Sequence, residues 1–109
     1  MPGTFTGKAL ADGTLAIAAA AIYTVPGSTV AYVKSISLFN DNAVTQTILL
    51  YLNTTGTARK WRRYVLLENE SVEVLTGGET VVLAAGDTIE AVTTTASVVP
   101  FTITGVEET

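Results

Sequence analysis

The sequence contains no cysteine and no histidine, and each absence excludes a body of chemistry. Without cysteine there is no disulfide framework, no thiolate nucleophile and no thiolate metal site. Without histidine the side chain that most often moves protons near neutral pH is missing, together with the commonest transition-metal ligand. Charge is scarce as well. Only 15% of the residues are Asp, Glu, Lys or Arg, and ten acids against six bases leave a net charge of −4. Such a chain is not built to coat nucleic acid or an anionic membrane, so any basic contact is local. The longest uncharged stretch, between Asp12 and Lys34, is broken at Pro26-Gly27-Ser28. Its apolar part, Leu15 to Val25, falls short of the roughly 20 residues that a spanning helix needs.

What the chain has in abundance is β-branched residues. Threonine, valine and isoleucine make up more than a third of the 109 positions, and 48% of all residues are hydrophobic, enough for one core and too many for disorder. The pattern predicts an all-β protein. From Thr29 to Phe39 alternation assigns Val30, Tyr32, Ile36 and Leu38 to one face, with Lys34 as the exception, met by snorkelling to an edge or by a register shift. From Thr45 to Asn53 both faces are apolar, which predicts a central strand or one bordering a subunit contact. Ala58 to Leu67 alternates again, and shorter runs follow at Ser71 to Leu75, Glu79 to Leu83, Thr88 to Thr94 and Val98 to Val106. Pro100 points to an edge or a bulge in the last. Seven to nine short strands with turn signals about every ten residues describe a single β-sandwich, read here as jelly-roll-like. It occupies residues 15–109. Residues 1–14, with Pro2, Gly3, Gly7 and Gly13, read as an extended N-terminal arm, and Glu107-Glu108-Thr109 reads as a charged tail.

Carboxylates at Glu68, Glu70 and Glu73 read as a solvated hairpin corner, and Asp87 as a turn cap, since it and Glu90 fall far short of a calcium ligand set. Gly77-Gly78 lacks the context of a phosphate loop and reads as a hairpin bend. The compositional anomaly is Arg59-Lys60-Trp61-Arg62-Arg63, which holds four of the six basic residues around the only tryptophan. Alternation sends Arg59, Trp61 and Arg63 to one face and Lys60 and Arg62 to the other. Three uses are open: salt bridges within the domain or its oligomer, an acidic protein partner, or nucleic acid, the last disfavoured by the net negative charge. In the arm, Phe5, Lys8 and Leu10 are the remaining candidate partner contacts. No catalytic residue, metal ligand or cofactor site is assigned.

The segments Ile22-Tyr23-Thr24-Val25-Pro26-Gly27, Val33 to Asn40, Thr47 to Leu52, Leu83 to Glu90 and Thr102-Ile103-Thr104-Gly105-Val106-Glu107-Glu108 make the chain similar to small β-sandwich structural proteins of tailed bacteriophages. The resemblance carries no catalytic signature. It implies a non-enzymatic virion component: a capsid decoration or cement protein, a homotrimer on the capsid exterior that bridges neighbouring subunits of the major capsid protein. A tail, neck or fibre component is the alternative. A carbohydrate-binding module is a further one, and would require Trp61 and the tyrosines to converge on one exposed face. Arg59 to Arg63 match no motif of that family.

Overall fold

A computed structural model of the chain describes residues 5–54, 56–75 and 78–109, with the backbone alone for Phe5, Thr6 and Lys8. Its regular structure is entirely β, and no helix occurs among the described residues. The strands are β1 (Phe5–Thr14), β2 (Ala20–Thr24), β3 (Val30–Phe39), β4 (Gln46–Asn53), β5 (Ala58–Leu66), β6 (Ser71–Glu73), β7 (Val81–Leu83), β8 (Thr88–Val92) and β9 (Pro100–Glu108). They form two antiparallel sheets. The first has the order β1-β9-β3-β6, with β7 also on β3, and the second has the order β2-β8-β4-β5. The two inner faces supply one core, which includes Val33, Ile36 and Ile103 from the first sheet and Ile48, Leu50 and Ile89 from the second, all fully buried.

Sequence alternation fails in β3 for a specific reason. Val33 pairs with Gly105 and Ser35 with Thr104, so Lys34 is an extra residue opposite the gap. A bulge of this kind reverses the parity of the strand. Ala31 and Val33, rather than Val30 and Tyr32, therefore share the inner face with Ile36 and Leu38. The Lys34 ammonium is left outside the core, where it donates to Thr80 Oγ1 at 3.1 Å.

The same device recurs on every long edge strand. The register skips Leu10 in β1, Ile22 in β2 and Trp61 in β5. All three are large apolar residues, half-buried and packed against the margin of the core. The remaining edge consists of β6 and β7, three residues each.

Residues Phe5–Thr14 are not an arm that leaves the sandwich. They run antiparallel along β9, from Phe5 opposite Glu108 to Thr14 opposite Pro100. Without them β9 would expose its whole backbone edge, which outweighs the weak strand preference of Gly7 and Gly13. Residues 1–4 of the expected arm lie outside the described residues, as does Gly77 of the expected hairpin bend. β9 itself lies between β1 and β3, so it is central, and Pro100 is tolerated as its first residue. The expected charged tail at Glu107 is part of this strand, with Glu107 buried on its inner face.

Gly105 marks the place where the β3 bulge crowds β9. A Cβ there would run into the Tyr32 carbonyl oxygen and come within 3.1 Å of Val33 Cα. Gly105→Ala should cost about 1–3 kcal/mol in chemical denaturation, as overpacking does. Gly27→Ala, with open space around it, should stay within about 0.5 kcal/mol. Equal midpoints for the two variants would contradict the β3–β9 register. Deleting residues 1–12 should lower the melting temperature clearly, because it removes a strand of the protein's own sheet.

Candidate functional site

The basic segment lies on β5, the edge of the second sheet, and the bulge at Trp61 divides it differently from simple alternation. Beyond the bulge Arg62 pairs with Leu50 and Tyr64 with Ile48, so Arg62 lies on the inner side of the sheet. Its guanidinium stacks 5.1 Å from the centre of the Trp61 ring and reaches Glu79, just before β7 of the other sheet, at 3.6 Å. Arg62 therefore ties the two sheets together across their open side. Lys60 pairs with Tyr51 and Arg63 with Leu49, which places both cations on the outer face and corrects the expected grouping of Lys60 with Arg62. Arg59, at the start of the strand opposite Leu52, is exposed. Leu10, expected to anchor a neighbour, packs on its own core, and the side chains of Phe5 and Lys8 lie outside the described residues.

Around Arg63 the outer face is apolar. Val65 and Leu67 are 46% and 56% exposed, beside half-buried Leu49 on β4. Val82 on β7, 60% exposed, projects from the opposite outer face, that of the first sheet, beside Tyr32. Asp12, Thr102, Ser37 and Glu73 stand in one cross-strand row over β1, β9, β3 and β6. Beside this row an open groove of about 260 Å³ is lined by Phe39, Pro100, Ser71 and neighbouring residues.

Polar groups inside the sandwich fasten its two ends. At one end Tyr23 on β2 donates its hydroxyl to buried Glu107 on β9 at 2.7 Å, a link between the sheets. Burial raises the Tyr23 pKa, and the bond to the Glu107 carboxylate raises it further. On the outer side Tyr32 donates to Glu108 at 2.8 Å, and this bond holds the Tyr32 pKa up in the same direction. At the other end buried Gln46 uses its whole amide. Its Nε2 donates to Val44 O and Thr95 Oγ1, while Oε1 accepts from Thr93 Oγ1 and the Thr95 amide. Asn40 Nδ2 contacts the carbonyls of Val44, Leu66 and Leu67, drawing the β3–β4 and β5–β6 connections together.

The acids that resembled a site are spent on local structure. Glu70 accepts from the Leu67 amide, Asp87 from the Ala84 amide and Glu73 from the Ser35 hydroxyl. No group of three or more potential metal-ligating His, Cys, Asp or Glu residues occurs among the described residues. The aromatic residues do not converge either. Tyr23 is buried and Tyr64 packs on the core, while Tyr32 and Tyr51 sit on opposite outer faces. A carbohydrate-binding platform is therefore not assembled from them.

No protein-family model and no curated protein matches the chain. A solved structure does match in architecture: a protein from work titled "Bacillus endospore appendages form a novel family of disulfide-linked pili". The alignment spans 100% of this chain and 91% of that one at a TM-score of 0.60, with 18% sequence identity. At that identity the likeness shows the fold. The expectation of a capsid decoration protein is not met by it, because the matching structure is of a pilus protein and not of a phage shell protein.

Sequence reading missed Tyr23 and Glu107 as a pair because they are 84 positions apart, and only the central placement of β9 brings them together. The link makes a pH prediction. A phenol whose folded pKa is raised keeps its full stabilising contribution below about pH 10, where the unfolded phenol is still protonated. Above that the unfolded chain releases its proton first, so stability falls as pH rises towards the folded pKa. Denaturation midpoints measured from neutral to alkaline pH should decline beyond about pH 10. Tyr23→Phe should make that decline shallower and cost about 1.5–3 kcal/mol at neutral pH, as loss of a hydrogen bond to a charged group does. An unchanged alkaline slope in the variant would contradict the link.

Proposed function

We propose that this chain is a non-enzymatic structural subunit that assembles with copies of itself into a pilus-like appendage. The observation that carries the reading is the full-length match in architecture to a protein of endospore appendage pili. The composition supports it: with no histidine and no cysteine, the chain is equipped for packing and contact more than for proton transfer or nucleophilic catalysis. We further read the fold as a jelly roll. The strand order β1-β9-β3-β6 facing β2-β8-β4-β5 supports this, because the chain crosses between the sheets in the manner of a doubly wound pair of Greek keys.

One property separates this chain from the pili named in that title. Having no cysteine, it offers no thiol for a disulfide with a neighbour. A closed homotrimer, implied by the resemblance to phage sandwiches, is the competing assembly; a trimer ends growth, whereas a pilus needs a contact that repeats.

Sedimentation and negative-stain microscopy of the concentrated protein should show open, fibrous or ladder-like species that grow with concentration. Thiol reductants should leave them unchanged, while dilution or denaturant disperses them. A protein that remains monomeric at the highest soluble concentration, or that stops at a trimer, would contradict the proposal.

A further inference from the structure

We infer that successive copies meet face to face, with the β5 outer face of one copy seated on the β3–β9 outer face of the next. The inference rests on the self-assembly reading and names the surfaces that would carry it. Edges are the usual place for one sheet to add to another, because their backbone groups are unpaired. Here each long edge strand carries a bulge, at Leu10, Ile22 or Trp61, and the last edge is made of three-residue strands. Bulges and short strands are devices that prevent edge pairing. That leaves the two outer faces.

The faces are unlike and complementary. The β5 side projects exposed Val65 and Leu67, flanked by Arg63 and Lys60. The β3–β9 side offers an open groove against Phe39 and Pro100, with Asp12 and Glu73 at the two ends of the adjoining row. Apolar knobs with a cationic rim therefore meet an apolar groove with an acidic rim. Each face also carries a charge of the contrary sign, Glu90 and Lys34, but among the described strand residues the majority sign stands: Lys60 and Arg63 against Glu90, and Asp12, Glu73 and Glu108 against Lys34. Because knob and groove lie on opposite sides of one molecule, the contact is heterologous. It repeats and does not close as a two-fold dimer.

Charge reversal tests this pairing. Lys60→Glu with Arg63→Glu gives an acidic knob facing an acidic groove, and Asp12→Lys with Glu73→Lys gives a basic knob facing a basic groove. Each double variant, its fold checked by thermal melting and circular dichroism, should need at least about tenfold higher concentration to assemble than the natural protein. An equimolar mixture of the two should assemble again, as an alternating polymer, because each knob then meets a groove of opposite charge. Added salt should weaken the natural assembly. If the natural protein assembles and the folded variants assemble equally well, or their mixture fails to recover, the face-to-face contact is overturned while the self-assembly reading stands. If the natural protein does not self-associate at all, both fall.

Discussion

The structure depends on how a two-layer sandwich closes its sides. Two sheets packed face to face leave the core open along each edge, and this chain closes it by adding one residue to each long edge strand. Leu10, Ile22 and Trp61 are those residues, and each turns apolar surface onto the core margin. Two consequences follow from the same local geometry. The inner core gains cover that a regular strand could not give, and the edge loses the flat run of unpaired backbone groups that another chain would need. At Trp61 the bulge also carries Arg62 to the inner side, where it reaches Glu79 and joins β5 to the segment before β7.

Buried polar groups complete the closure at the ends. The Tyr23–Glu107 bond joins an edge strand of one sheet to the central strand of the other, and the Gln46 amide holds the connection between β8 and β9. A buried carboxylate or amide is costly to leave unpaired, so these groups penalise any register in which their partners are absent. Gly105 acts to the same end by steric means, since the β3 bulge leaves no room for a side chain there.

Much of this was legible in the sequence, and the failures have one physical source. Strand positions followed from alternation and turn residues: Thr45 to Asn53 was expected to be a central strand or one bordering a subunit contact, and β4 lies between β8 and β5. The assignment of faces failed wherever a bulge intervened, because a strict period of two cannot represent an extra residue. Val30 and Tyr32 were thus assigned to the face that Ala31 and Val33 occupy, and Lys60 was grouped with Arg62. The chain termini were misread for a related reason. Glycines in residues 5–14 and carboxylates at Glu107 and Glu108 argue locally against a strand, and only the pairing of β1 with β9 overrides them. The resemblance to phage sandwiches rested on short strand-and-turn segments, which record how the chain folds and not what it assembles into.

The central claim is that closed edges direct association to the faces of the sandwich. The most direct measurement is a cryo-electron microscopy reconstruction of the self-assembled protein. The account predicts neighbouring copies stacked through their sheet faces, about 10 Å from sheet to sheet, with Val65 and Leu67 of one copy over Phe39 and Pro100 of the next. A reconstruction in which β1 or β5 of one copy extends the sheet of its neighbour, at the ladder spacing of about 4.8 Å, would contradict it.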